Sequence, residues 1–220
     1  MTLKEAMEAR HSVRAYTAEA IPEEIKKTLD EAASEANAEG RLNISIHYDD
    51  PEAFDSGLAH YGNFRNVRNY IVLAGKKDES FDLRCGYYGE KLVLLAQSLG
   101  LNSCWVALTF NKRKVKELLA PGESLCMVIA LGYGETQGDP HKGKSLGEVC
   151  DAKDAPAWFT DGAEAALLAP TAVNQQKFFF SLDGDKAVLK AKGIGPCLHT
   201  DLGIVKYHFE TVSGHEAEVR

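Results

Sequence analysis

A chain of 220 residues, 45% of them hydrophobic, is long enough for one generous domain or two small fused units. Its formal net charge of −7 argues against a general binder of nucleic acid or membrane surfaces, while leaving room for a local cationic pocket. No apolar run approaches the ~20 residues that span a bilayer, and the opening MTLKEAMEAR lacks the apolar core of a secretory signal, so a cytoplasmic protein without membrane contact is expected.

Residues 3–9 predict a short helix. Beyond it Arg10, His11, Ser12 and Arg14 crowd into five positions, with Tyr16 following. In residues 22–36, Ile25, Leu29, Ala32, Ala33 and Ala36 share one face at helical spacing, Pro22 suits the first turn, and Gly40 marks the stop. RLNISIHYDD alternates Leu42, Ile44, Ile46 and Tyr48 with polar residues, the pattern of a half-buried strand. Residues 51–68 read as a loop or a short helical piece. NYIVLAG reads as a central strand. The passage from Gly86 to Leu108 predicts a helix whose stripe is Leu92, Leu95, Ala96 and Leu99, stopped at Gly100, followed by an extended SCWVAL.

A helix around Lys112–Leu119, a Pro-Gly turn and the buried strand LCMVIALGY come next. GETQGDPHKGKS is a loop rich in glycine and charge. DGAEAALLAPTAVNQQKFFFSLDG predicts helix, polar break and strand, and GDKAVLKAKG an edge hairpin strand. HTDLGIVKYHFETV is a last helix with Thr200 or Asp201 as N-cap. An offset of 137 positions sets Asn37 opposite Asn174, each with a helix before and a strand after, so a duplicated unit and a chance likeness both stay open. Cys85, Cys104, Cys126, Cys150 and Cys197 form no C-x-x-C pair, which favours reduced thiols and gives no support to a structural metal.

Four stretches could carry chemistry. In RHSVRAY two guanidinium groups and a hydroxyl can converge on a phosphate or an anionic ring edge, or simply answer the dipole at a helix end. In LLAPTAVNQQKFFF, Pro170 stops the helix, Thr171 and Asn174 offer short polar side chains, and small Ala172 leaves room for something flat; an ordinary connection is the alternative. Lys142 and Lys144 flank a glycine in a loop that suits either a phosphate or plain solvent. After GLNSCW, backbone N–H groups of Ala107 or Leu108 could face a ring atom, or lie in a buried strand. The Rossmann and Walker fingerprints are missing, and no histidine pairs recognisably with a nucleophile.

In their order and combination these stretches resemble the nitroreductase family of flavin enzymes. Its R-x-S-x-R-x-F/Y run is matched by Arg10, Ser12, Arg14 and Tyr16, and its A-P-S-x-x-N-x-Q motif by Ala169, Pro170, Thr171, Asn174 and Gln176. G-L-G-T-C-W is matched by residues 100–105, and a basic loop beyond a strand ending in Gly-Tyr by Lys142 and Lys144. One departure stands out. In ordinary members the A-P-S motif follows soon after the arginine run, where this chain has AASEANAEG. Ordinary members are homodimers with FMN at the subunit interface, so this sequence resembles a tandem, single-chain type.

The resemblance implies an α+β sandwich with a central, mostly antiparallel sheet flanked by helices. It implies two related halves, residues 1–150 and 151–220, packed as an intrachain pseudo-dimer with one FMN per chain. A monomer then becomes possible, without excluding a homodimer. Arg10, Ser12, Lys142 and Lys144 would hold the FMN phosphate and Arg14 would tune the ring electrostatically. Pro170, Thr171, Ala172 and Asn174 would border the polar ring edge, Ala107 and Leu108 would approach N5, and His11 would lie nearby. NAD(P)H would deliver hydride to the flavin, and a small acceptor such as a nitroaromatic or quinone would then take the electrons in ping-pong order, with no protein nucleophile. The alternatives are a flavin carrier or sensor without turnover, and another chemistry of the same fold such as reductive dehalogenation.

Overall fold

Two apolar runs, Asn69–Gly75 (β2) and Ser124–Gly132 (β4), lie side by side in an antiparallel ladder with Ile71 opposite Ile129. Ser45–His47 (β1) and Asn102–Val106 (β3) flank them, giving the order β1-β2-β4-β3 with every pairing antiparallel. The computed structural model describes residues 1–55, 57–151 and 153–220. Side chains in a strand alternate between faces. Tyr70, Val72, Val128, Ala130, Cys104 and Val106 therefore join a buried cluster with Val13, Tyr16, Phe54, Phe64 and Phe110. Ile71, Leu73, Ile129 and Leu131, which point the other way, are buried as well. A sheet covered on both faces explains why these strands read as continuous apolar runs.

Helix α1 spans Leu3–Ala9. Helix α2, Glu23–Gly40, opens directly after Pro22 and buries Leu29, Ala33 and Ala36. It runs one turn beyond the periodic window and ends at Gly40, where Arg41 turns left-handed and its N–H reaches Asn37 O. The alternating 41–50 segment forms only the three-residue β1, although Leu42 and Ile44 are buried as expected. Helix α3 is Gly57–Tyr61 and helix α5 is Lys112–Lys116, shorter than its apolar pattern. Helix α4, Phe81–Ser98, is buried more broadly than a stripe: Leu92, Val93, Leu94 and Ala96 are all covered.

After Leu146–Val149 (α6) come α7 (Ala157–Leu167), a 3₁₀ turn at Ala172–Asn174, the hairpin β5 (Phe178–Asp183) and β6 (Lys186–Ala191), α8 (Leu198–Ser213) and β7 (Ala217–Val219). The expectation that β6 is an edge strand fails: β7 pairs with it in parallel and places it in the centre of a three-stranded sheet. A three-residue strand behind a helix carries too little pattern to be seen in advance. The expected N-cap also moves. Helix α8 starts earlier, with left-handed Cys197 at its cap, so Thr200 and Asp201 sit inside its first turn. Asn37 lies in the last turns of α2, and Asn174, its counterpart at the 137-residue offset, lies in the 3₁₀ turn.

Two compact units result. Residues 9–81 and 92–140 hold the four-stranded sheet; residues 1–8, 82–91 and 141–220 hold the three-stranded one. Within the latter, α7 and α8 pack together around Phe159, Phe180 and Phe209, the last two stacked at 4.4 Å. Fully buried His208 bridges Glu90 (2.9 Å) and the carbonyl of Ala165 (3.1 Å). The start of α4 approaches α8 through two glycines: a Cβ on Gly86 would lie 2.0 Å from Thr200 O, and one on Gly203 2.0 Å from Leu83 O. All five cysteines are free thiols. Among the described residues no helix is long and apolar enough to cross a membrane.

Candidate functional site

The four-stranded unit carries the arginine run. Residues 12–17 lie along the sheet as an added, irregular edge. Ser12 bridges Ser103 in parallel, Val13 N donates to Ser103 O (3.0 Å), and Tyr16 pairs with Gly134. Tyr16 is buried and its hydroxyl donates to Val13 O at 2.7 Å, fastening the segment on either side of Arg14. Val13 and Tyr16 enter the core, Ser12 and His11 are half-buried, and Arg14 is exposed.

Arg10 is only 3% exposed. Its charge and that of Arg14 are felt at Cys104, and Ser12 hydrogen-bonds to that thiol. Burial outweighs these influences and pushes the thiol upward, so it stays protonated at neutral pH. Gly138 closes over the segment with φ +74; a Cβ there would lie 2.8 Å from His11 Cβ, so both the conformation and the space call for glycine. Ala107 and Leu108 follow β3 in a bend, Ala107 half-buried and Leu108 exposed.

The three-stranded unit brings the basic loop and the Pro-Thr turn together. Buried Gln176 is the knot. Its N–H donates to Thr171 Oγ1 (3.0 Å), its Nε2 to Leu167 O (3.0 Å), and its Oε1 accepts from Lys144 N (2.8 Å). Lys144 Nζ donates to Gln176 O at 2.6 Å, and Asn174 Nδ2 donates to Lys142 O at 2.8 Å. His141 Nε2 lies 3.1 Å from Leu167 O. Lys144 and Asn174 are thus partly spent on their own scaffold. The Asn174 amide oxygen, the Thr171 hydroxyl proton and the exposed Lys142 ammonium remain outside these bonds. Neither Arg14 nor Lys142 has an ion pair among the described residues, although acidic residues outnumber basic ones in the chain.

The turn itself is unusual. Val173 (φ 47), Asn174 (φ 52) and Gln176 (φ 42) are all left-handed. Asparagine tolerates that region; a β-branched valine rarely does. Opposite the turn, Asp201 accepts from Ala172 N through both carboxylate oxygens (3.0 and 3.1 Å) and from Gln175 Nε2 (2.7 Å). Gln175 also donates to Pro196 O. Gln176 was visible in the motif, whereas Asp201 sent no local signal because its partners lie 26 and 29 residues upstream. Among the described residues no cluster of histidine, cysteine and carboxylates could hold a metal ion.

An antiparallel sheet covered by helices, with clustered cations after the first helix and an amide-rich turn before β5, defines a nitroreductase-type fold. The chain belongs to the corresponding family: the family model described as "Putative TM nitroreductase" matches residues 2–213. A solved structure from Thermotoga maritima, described as a putative nitroreductase, superposes with TM-score 0.69 at 22% identity over 96% of this chain and 83% of that one. A nitroreductase of Desulfovibrio desulfuricans, described as putative and solved in complex with FMN, gives TM-score 0.55 and 23% identity, covering 67% of this chain and 94% of its own. An FMN-dependent nitroreductase from Clostridium difficile gives 0.51 and 17%, over 69% and 96%. At these identities the likeness establishes the fold. A comparison with curated proteins returned no match.

Proposed function

We propose that this protein is an FMN-dependent oxidoreductase that passes electrons from NAD(P)H to a small acceptor such as a nitroaromatic or a quinone. Membership of the nitroreductase family across residues 2–213 carries this reading. The donor chemistry fits the cofactor. Among the described residues Arg14 and Lys142 are cations without carboxylate partners, in a protein of net charge −7, which favours an anionic ligand such as a phosphate ester. The Thr171 hydroxyl and Asn174 amide oxygen match the alternating donors and acceptors of a flavin edge.

When bound, FMN supplies two-electron exchange between a nicotinamide donor and an acceptor, while the protein supplies binding and electrostatics. Arg10 and Ser12 would hold the phosphate, with Lys142 adding charge and His11 nearby. Lys144 would contribute chiefly by keeping the basic loop fastened to Gln176. Arg14 would place fixed positive charge at the pyrimidine edge and so favour the more negative, reduced cofactor. Pro170, Thr171, Ala172 and Asn174 would border the ring, and the backbone at Ala107 and Leu108 would supply N–H donors. One FMN per chain follows from a single arginine run, as in a tandem pseudo-dimer with halves 1–150 and 151–220. A cytoplasmic setting belongs to the same reading, as does an intrachain pseudo-dimer that makes a monomer possible while leaving a homodimer open.

The test is the visible spectrum of the purified protein and its flavin-to-chain ratio. A yellow protein with one FMN per chain that NAD(P)H bleaches without oxygen, and that an acceptor reoxidises, is the expected result. A colourless protein that refuses added FMN would defeat the proposal, and flavin that NAD(P)H cannot bleach would leave a carrier or sensor.

A further inference from the structure

Asp201 is a carboxylate that the fold has buried, at 6% exposure, in the first turn of α8. Burying an ionisable group is unfavourable unless its hydrogen bonds are replaced. Here all replacements come from one place. Ala172 N and Gln175 Nε2 donate to Asp201, and among the described residues its carboxylate has no other donor. It does not cap its own helix: the cap position is Cys197, and the donors to the Asp201 carboxylate, Ala172 N and Gln175 Nε2, lie outside α8. The side chain therefore serves the turn at 171–176.

That turn has a shape local sequence does not favour. Val173 is β-branched, left-handed and 87% exposed, so no packing of its side chain compensates the conformation. Strained backbone of this kind persists where surrounding contacts impose it, and it gathers at ligand sites. The contacts are identifiable: Asp201 and Gln175 on one side, Gln176 with Lys144 and Lys142 on the other.

We infer that Asp201 is a positioning residue of the cofactor site, whose carboxylate grips residues 172 and 175 and so holds the left-handed Val173 and Asn174 between them in the shape that receives the flavin edge. This rests on the FMN reading above. Asp201 need not touch the flavin; it acts through Ala172 and Gln175.

The experiment titrates FMN into flavin-stripped, full-length protein by fluorescence quenching and measures the midpoint potential of the bound flavin. Wild type, D201N, V173G and the double variant are compared where circular dichroism shows each folded. D201N keeps the side-chain volume but offers one acceptor fewer, so FMN affinity should fall about tenfold, as for a lost charge-assisted hydrogen bond, and the potential should move. V173G supplies a residue that adopts positive φ freely, so the double variant should recover affinity to within about threefold of V173G. D201N with wild-type affinity and potential would overturn the inference, as would a loss that V173G fails to relieve. If D201N does not fold, Q175L replaces it; an FMN affinity unchanged there also overturns the inference, and a loss of about threefold supports it. A wild-type chain that binds no FMN defeats the parent reading instead, before any variant is compared.

Discussion

Arg10 and Arg14 stand four positions apart, yet one is buried and the other faces solvent. Their substitutions should therefore behave differently. Arg14→Ala should leave the melting temperature nearly unchanged while making the bound flavin's midpoint potential more negative, measured by spectroelectrochemistry, because a fixed cation favours the reduced form. Arg10→Ala should lower both stability and FMN affinity, the latter by about ten- to a hundredfold if a charge-assisted phosphate contact is lost. Asp201 supplies a pH signature. Burial pushes its carboxyl from 3.8 up to about 6, against the pull of Gln175 and the Ala172 N–H. A raised pKa in the folded state means that this group favours folding below its unfolded value and that the benefit is lost as pH rises through about 6. The stability of D201N relative to wild type should therefore improve as pH rises from about 4 to about 7, by on the order of 2–3 kcal/mol, in denaturant titrations at the two ends.

Pairs of elements hold together through contacts that tolerate little change. The crossing of α4 and α8 brings backbone against backbone at Gly86 and Gly203. Gly86→Ala must force the helices apart and should destabilise the protein by about 1–3 kcal/mol or more, read as a lowered denaturation midpoint. Gly147→Ala is the matched control: nothing lies within 4 Å of that position in α6, so the same change should be neutral or slightly stabilising. The link between the basic loop and the Pro-Thr turn depends on Gln176. Gln176→Leu keeps the bulk but strands Lys144 N–H and loosens the loop, which keeps its bonds through Lys144 Nζ and Lys142 O. Hydrogen exchange at residues 142–145 should accelerate, with a cost of about 1–3 kcal/mol, while the exchange of β2 and β4 stays unchanged.

At the scale of the molecule, one flavin serving donor and acceptor in turn predicts parallel double-reciprocal lines when NAD(P)H is varied at several acceptor concentrations; intersecting lines would show both bound together. Much of the architecture is readable in advance because the relevant signals are local. Strands β2 and β4 appear as apolar runs bounded by glycine, α2 as a stripe at helical spacing, and the arginine run and P-T-A-V-N-Q segment as adjacent residues with matching chemistry. What escaped was non-local: β7 adding beside β6, the early start of α8, and the partners of Asp201. The sequence by itself determined the family, the principal elements and the types of polar and charged group in the arginine run and the Pro-Thr turn, since these reside in residue identity and spacing. Only the tertiary structure decided which of those groups the protein keeps for itself. Lys144 and Asn174 are bound to backbone carbonyls 32 positions away, and Asp201 grips a turn 29 positions before it, because a hydrogen bond is made by whatever the chain's path brings within 3 Å.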